Sequence, residues 1–515
     1  MSAATRVLAW LDRRSDDVSP LVVKEARQVV RSREFLFSFL ASLVAGLAVA
    51  FGGATDALSG ETTSGRWTFV VLMGCLSVLG LVVVPIAAFS TLRQERMEQT
   101  LELITLTSLS ARRVVVGKLL AQSVKLLTLF AAIAPFLTMS FLLGGIDLTT
   151  ILISLAMLYM ASVWAGALCL FLSTLFKSRA ASGLVFGLMG LMVIMLLPIG
   201  LSMFRLAVIG VPMPTVFGSS FGSAEMFKEL TLLMTFWATT LVNFVLLAGH
   251  RLSLATEDSV RPLRIGFFAQ FLLTVWWALV SLISIYRMAT VESMTALGAI
   301  HLAIVALFVV TEEISVSRRV LHRMRIESGV RRLLALFGPG AGRGAAYVVA
   351  QMVALLAVMA MCQTMTAGLH PPAVGLRRIL AACGYICFFT GLPVLAFWRF
   401  APARVSPFKL RVAVLCAIAA ALVLPDVIHY LIVRPEVLDV SYGARHLINP
   451  FRTLSQWPLV EARGWTMIPF VMGLIGLLAY VQLFILGARS TSHAMLVDPQ
   501  AVPVEEATIR GSILH

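Results

Sequence analysis

The sequence predicts an all-α membrane protein that crosses a bilayer many times. Of its 515 residues, 59% are hydrophobic and only 13% are charged, and the apolar residues form long runs. A soluble protein carries roughly one quarter charged residues, so this chain has too few to cover a water-exposed surface. Runs of about 20 apolar residues can cross the hydrocarbon core as helices, which satisfy their own backbone polar groups there.

Twelve runs are long and apolar enough to be transmembrane helices. Their approximate bounds are 35–54, 67–90, 118–143, 150–175, 180–202, 230–249, 265–286, 293–311, 345–367, 379–398, 410–432 and 466–488. The residues before the first run mix arginines with aspartates, which is not typical of a cleavable signal peptide. The first span is therefore expected to act as its own insertion signal.

The distribution of basic residues predicts the orientation. With the N-terminus inside, the predicted cytoplasmic segments hold 30 Lys and Arg, and the opposite segments hold 10. Cytoplasmic loops carry such an excess, so both termini are expected in the cytoplasm and the chain in the cytoplasmic (inner) membrane. The excess of Lys and Arg in the predicted cytoplasmic segments accounts for the net charge of +15. No basic stripe interleaved with aromatics indicates a nucleic-acid partner.

The lengths of the connecting segments repeat along the chain. A long cytoplasmic loop follows the second span (91–118), and a long outer segment follows the fifth (203–229). The same features return at 312–344 and 433–465. This repeat favours two six-helix halves, 35–250 and 251–488. Residues 1–34 and 489–515 are then the cytoplasmic N-terminus and C-terminal tail.

The segment 19–33 is typical of an amphipathic helix lying in the membrane interface. Ser19 is a good N-cap, and Pro20 suits the first helical position. Valines and Ala26 form one face, and the opposite face carries Lys24, Glu25, Arg27, Gln28 and Arg31. Such a helix would turn its basic face toward lipid phosphates. The simpler alternative is a positively charged anchor for the first span.

The loop 92–110 combines acidic residues with apolar side chains. Glu95, Glu98 and Glu102 share one helical face, and Leu101 adds an apolar side chain beside them. A short cytoplasmic helix of this kind can dock into a groove on a partner. The alternative is a solvated loop.

Two strings in this region resemble the ABC-2 type permease family. PLVVKEARQVVRSREF resembles the interfacial helix of those permeases, and ERMEQTLELITLTSLSARRVVVGKLL resembles their E-x-x-x-x-T-L-E-L-L-x-x-T-P-L-S … G-K signature. Ser108 replaces the common proline, and Gln99 replaces the common glycine. The resemblance covers mainly residues 19–145.

This resemblance implies that the chain is the permease subunit of an ATP-driven exporter. The second string is then the coupling helix, which touches a separate ABC ATPase subunit. The residues implied at that contact are Glu95, Glu98, Thr100, Leu101, Glu102 and Leu103. The segment 203–229 is implied to be an outer re-entrant pair of short helices. The loop 312–344 lacks the signature and is either a divergent second coupling element or a topology anchor.

The chain lacks the motifs of an enzyme that hydrolyses ATP itself. It contains no GxxxxGK[ST] phosphate loop, no HExxH and no GxSxG. ATP is therefore expected to be used by the partner subunit, with no cofactor or metal bound by this chain. The sequence leaves open the substrate, and whether one chain or two (a homodimer or a second permease chain) complete the pathway.

Polar residues inside the predicted spans and in the segment 433–465 support two alternative functions. Asp426 and His429 lie three apart after Pro425 and share a face near a kinked helix, either as a structural pair or as the proton relay of an ion-coupled secondary transporter. Lys125 lies about 10 Å along the third span from Lys118 and is expected to extend to the inner interface. The second alternative is a polytopic enzyme acting on lipid-linked substrates. Its candidate residues in 433–465 are Asp439, Arg445, His446, Arg452 and Glu461.

Overall fold

The chain is an all-helical, multi-pass membrane protein. The structure, a computed structural model, describes residues 20–59, 64–98, 110–144, 146–175, 224–253, 259–285, 288–313, 334–365, 374–400, 406–433 and 442–496. Within these ranges every regular element is helical. Ten helices there are long and apolar enough to cross a membrane. The chain divides into two compact units, Met1–Leu254 and Ala255–His515.

The described residues of the first unit form one short helix and five long ones. They are α1 (Pro20–Val30), α2 (Arg33–Leu58), α3 (Ser64–Met97), α4 (Ala111–Leu142), α5 (Leu148–Ser173) and α6 (Ala224–Leu252). The short helix α1 packs on α4, and α2 packs against α3 and α4. Helix α5 contacts α3, α4 and α6. The beginnings of α1 and α4 therefore lie at the same end of the unit as the end of α3.

Helix α2 has the residue distribution of a lipid-exposed span. Its buried face is made mostly of small residues about four positions apart: Ser38, Ser42, Gly46, Ala50 and Gly53. Its large residues point outward: Phe37, Leu40, Val44, Leu47 and Phe51. Small residues let membrane helices approach closely. A Cβ on Gly46 would lie 2.5 Å from the Phe136 ring, so this approach requires glycine.

Helix α3 is longer than the predicted span 67–90. Pro85 has no N–H to donate, and a single π-helical turn at Leu79–Val83 precedes it, in which the Val84 N–H bonds to the Leu79 carbonyl. The helix then continues to Met97. Residues 92–97 were predicted to begin a separate coupling helix. They instead extend α3, because the side chain of Leu92 is fully buried.

In the part of the second unit that the structure describes there are six long helices and a group of short ones. They are α7 (Val260–Ile285), α8 (Met288–Val309), α9 (Ala341–Met365), α10 (Val374–Phe400), α11 (Pro407–Val433), α12 (Pro450–Ser455), α13 (Trp457–Ala462) and α14 (Met467–Leu496), with 3-10 turns at Leu334–Phe337 and Ala444–Ile448. Helix α8 packs against α7, α9 and α10, and α14 packs against α9 and α10. Helix α11 packs on the other side of α10 and contacts α8 only slightly.

The crossing of α10 and α14 is the closest helix contact in this unit. Gly384 and Gly473 face each other, and a Cβ on Gly476 would lie 2.2 Å from the backbone nitrogen of Phe388. Glycine at these positions lets the two backbones meet. Further along, the buried hydroxyl of Tyr480 lies 2.7 Å from that of Thr390. The contact is therefore both close and hydrogen-bonded.

Eleven of the twelve predicted spans correspond in order to described helices. The predicted fifth span, 180–202, and most of the outer segment 203–229 lie outside the described residues. The predicted eighth span corresponds to α8, whose apolar part, Ser293–Val309, is shorter than the ten long spans.

The segment after α11 is folded. Residues 442–465 form the 3-10 turn, α12 and α13, which pack on α10 and α11 around the fully buried Trp457 and Val460. The described part of the predicted loop 433–465, residues 442–465, is therefore an ordered cap on the helix ends.

Candidate functional site

A buried ion cluster joins three helices of the first unit. Lys118 Nζ lies 3.2 Å from Glu25 Oε2 and 2.6 Å from Glu95 Oε1. The side chains of Lys118, Glu25 and Glu95 are only 5%, 12% and 23% exposed. Charges this far from water are stable only when paired. We call Glu25, Lys118 and Glu95 the base cluster; it ties α1 and the end of α3 to the first third of α4.

Each member of the base cluster comes from a segment that the sequence singled out. Pro20 begins α1 as predicted, and Lys24, Arg27 and Arg31 are exposed. Glu25 was predicted to share that polar face, but it turns inward. The physical reason is that a carboxylate near lipid phosphates is repelled, whereas Lys118 neutralises it.

Two arginines hold the neighbouring helix ends together. Arg96 Nη1 donates to the Ser173 carbonyl at 3.1 Å, and Arg251 Nη2 donates to the Leu175 carbonyl at 3.3 Å. These carbonyls lie at the C-terminal end of α5, where no further helical N–H group is present to pair with them and a positive charge is favoured. The ends of α3, α5 and α6 therefore meet at the same end of the unit as the base cluster.

A polar cavity of about 130 Å³ adjoins the base cluster. Its lining includes Glu25, Glu34, Lys118, Gln122 and Lys125. Lys125 was predicted to extend to the inner interface but is only 5% exposed and faces this cavity. The carboxamide of Gln122, packed on Gly166, has no hydrogen-bond partner within the described part of the chain. A polar cavity of this kind suits ordered water.

The structure separates the glutamates that were predicted to share a face. Glu95 points into the bundle and pairs with Lys118, whereas Glu98 is exposed at the end of α3 and accepts a hydrogen bond from Gln94 Nε2 at 2.8 Å. The other predicted contact residues, Thr100, Leu101, Glu102 and Leu103, lie outside the described residues. Of the two predicted contact residues that the structure describes, Glu98 is the exposed one.

The second unit has a buried ion pair that the sequence analysis missed. Arg264, which is fully buried, places Nη2 2.6 Å from Glu312 Oε2 and 3.1 Å from the Gly340 carbonyl. Glu312 Oε2 also accepts the Gly340 N–H at 3.0 Å, and Tyr347 donates to the Arg264 carbonyl at 2.8 Å. We call Arg264, Glu312 and Gly340 the clamp. The clamp joins the residues on either side of the segment 314–333. In the sequence, the one sign of this ion pair was an arginine at the edge of an apolar run.

Asp426 is bound by the cap formed by residues 442–465 rather than by His429. Its carboxylate, 47% exposed, lies 2.7 Å from His446 Nε2 and 3.1 Å from Arg452 Nη1. The Gly443 N–H donates to His446 Nδ1 at 2.9 Å, and Arg445 Nε donates to His446 Nε2 at 3.3 Å. His429 instead lines a neighbouring groove.

The charged residues that were candidates for a polytopic enzyme acting on lipid-linked substrates stabilise this cap. Arg445 lies 3.8 Å from Asp426, and Glu461 lies 3.8 Å from Arg377. Burial raises the pKa of the Tyr442 phenol, which therefore stays protonated and contacts Thr453 Oγ1 at 3.1 Å. Asp439 lies outside the described residues. These contacts connect the cap to α11 and to the start of α10.

The base cluster and the clamp share one design. In each, an acidic residue at the end of a long helix is held by a buried cation beside the loop that follows. Each pair ties the end of one long helix to a neighbouring helix, and breaking such a buried pair is costly. Comparison of the chain with protein-family models, curated proteins and solved structures finds no match.

Proposed function

We propose that this chain is the permease subunit of an ABC-2 type exporter that works with a separate ATPase. The observation that carries the proposal is Lys118 bridging Glu25 and Glu95. The two strings that resemble the family are far apart in the sequence, and this bridge joins them. A coupling segment must be fixed to the helices it moves, and the base cluster supplies that connection.

The mechanism follows from the helices that meet at this end of the unit. The ATPase, on binding ATP, displaces the coupling segment between α3 and α4. Glu95 passes the displacement to Lys118 on α4 and to Glu25 on α1, while Arg96 passes it to α5. These helices tilt together and open the central path to the outside. Glu95 acts as a positioning residue, and Glu98 with Thr100, Leu101, Glu102 and Leu103 makes the contact.

The clamp supports a corresponding role for the loop 312–344 in the second unit. Arg264 is fully buried and fixes both ends of the segment between α8 and α9. A loop that served only as a topology anchor would need its positive charges but not this buried pair. We include the loop in the proposal as a divergent second coupling element, with two six-helix halves and both termini in the cytoplasm.

The test is co-purification of a candidate ABC ATPase subunit, co-expressed with this chain, with Leu101→Ala and Glu102→Ala variants. Truncating an anchoring side chain costs about 2 kcal/mol or more at a well-packed contact. Both variants should bind the ATPase at least tenfold more weakly and uncouple hydrolysis from transport. Arg6→Glu, which lies outside the motif, is the control and should behave like the parent. If both variants bind and couple normally, the coupling role is wrong.

A further inference from the structure

The outward face of α1 carries positive charge alone. Lys24, Arg27 and Arg31 are exposed and lie three or four positions apart, so they share one side of the helix. Glu25 is the one carboxylate of α1, and it is turned away from this side to pair with Lys118 at 3.2 Å. The outward face therefore has three cations and no anion.

The first turns of α2 and α4 extend this face. Arg33 begins α2 and Arg113 lies in the first turn of α4, and both are exposed. Helix α1 leads into α2 and packs on α4, so all these cations lie at the same end of the unit. The exposed carboxylate beside Arg33, Glu34, lines the polar cavity next to Lys125.

We call these cations the basic surface: Lys24, Arg27, Arg31, Arg33 and Arg113. Within the described part of the chain, none of the five forms an ion pair. Their charges are therefore not neutralised by the neighbouring helices, and the basic surface has a net positive charge even when Glu34 is counted against it.

The helices that carry the basic surface also show where the hydrocarbon begins. In α2, exposed Arg33 is followed within one turn by Leu36 and Phe37, which are 65% and 76% exposed. In α4, exposed Arg113 is followed three positions later by exposed Val116. Three helical residues rise about 4.5 Å, so both arginines lie just outside the apolar, lipid-facing part of a span. This depth is that of the lipid headgroups, which identifies lipid as the occupant of the surface.

We propose that the basic surface binds the headgroups of anionic phospholipids in the leaflet at this end of the unit, the predicted cytoplasmic leaflet. Arginine binds phosphate strongly, and each basic residue near an anionic lipid surface contributes roughly a fivefold preference. Periodicity predicted lipid contacts for α1 alone. The fold adds Arg33 and Arg113 and removes Glu25 from the face, so the surface distinguishes anionic from zwitterionic lipid. This inference does not depend on the proposed ATPase partner.

The experiment measures lipid retention by the purified full chain in detergent. Native mass spectrometry compares phosphatidylglycerol with phosphatidylcholine of identical acyl chains, and the parent should retain phosphatidylglycerol at least fivefold better. The double variant Arg27→Gln, Arg31→Gln should lose most of this preference, whereas Arg27→Lys, Arg31→Lys keeps the charge and should retain it. Adding Arg113→Gln to the glutamine variant should remove the remaining preference, because the surface includes α4.

The matched control is Arg377→Gln, Arg378→Gln at the start of α10. It also removes two exposed arginines, but Arg377 already lies 3.8 Å from Glu461, so the lipid preference should stay close to that of the parent. Equal retention of the two lipids by the parent would overturn the proposal. So would a parental preference in the Arg27→Gln, Arg31→Gln variant, an equal loss in the control, or an equal loss in the lysine variant. A glutamine variant that keeps its lipid preference but binds a co-expressed ATPase more weakly would make this a protein-binding surface instead.

Discussion

Replacing Lys118 with methionine is the most direct perturbation of the base cluster. Methionine has nearly the same length and volume, so the packing against α1 and α3 is retained while the charge is lost. Glu25 and Glu95 would then face each other without a cation, 12% and 23% exposed. The expected result is a large loss of stability and a displaced α1.

The magnitude follows from the distances. At an effective dielectric constant of about 20, contacts of 2.6 Å and 3.2 Å correspond to gross attractions of about 6 and 5 kcal/mol. Desolvation of the three charges and repulsion between the carboxylates offset most of this. Removing one partner of a buried pair typically costs about 3–5 kcal/mol. Because Glu95 is partly exposed, we expect about 3 kcal/mol for Lys118→Met.

The assay is denaturant or thermal unfolding of the detergent-solubilised chain. The triple variant Glu25→Gln, Glu95→Gln, Lys118→Met removes all three charges and should recover most of the lost stability. A matched control is Lys24→Met on the exposed face of α1, which should change stability by less than about 0.5 kcal/mol. The reasoning is refuted if Lys118→Met is as stable as the parent, or if the triple variant is no more stable than Lys118→Met.

Three other predictions concern separate parts of the fold. Gly476→Ala should destabilise the α10–α14 crossing by about 3 kcal/mol, whereas Gly74→Ala, whose Cβ meets no atom within 4 Å, should be nearly neutral in the same unfolding assay. Asp426→Asn should lower stability by only about 1 kcal/mol and leave transport intact, because the carboxylate is half exposed; loss of proton coupling with a normal fold would favour the secondary transporter. In a chain without native cysteines, Glu98→Cys should react only with reagent on the cytoplasmic side and Gln456→Cys only with reagent outside; labelling from the opposite sides would contradict the predicted orientation.

The sequence alone predicted the fold class and the order of the spans because lipid imposes a strong constraint. Long apolar runs must become helices in hydrocarbon, so ten of them are found as spans without any knowledge of packing. The helix ends were harder to predict. Helix α3 continues past the apolar run to Met97, since Leu92 remains buried while its neighbours are polar. A hydropathy pattern averages over both faces and cannot separate them.

The tertiary structure alone decided which charged residues pair. Periodicity placed Glu25 among the exposed residues of α1 and Glu95 beside Glu98, but the contacts of α1 and α3 with α4 bring both to Lys118. Likewise, Asp426 binds His446 of the cap and not His429 on its own helix. Neighbours along one helix can be read from spacing, whereas partners 23 or 93 positions apart depend on how the helices pack. That packing depends on the steric fit of whole helix faces, which no local pattern encodes.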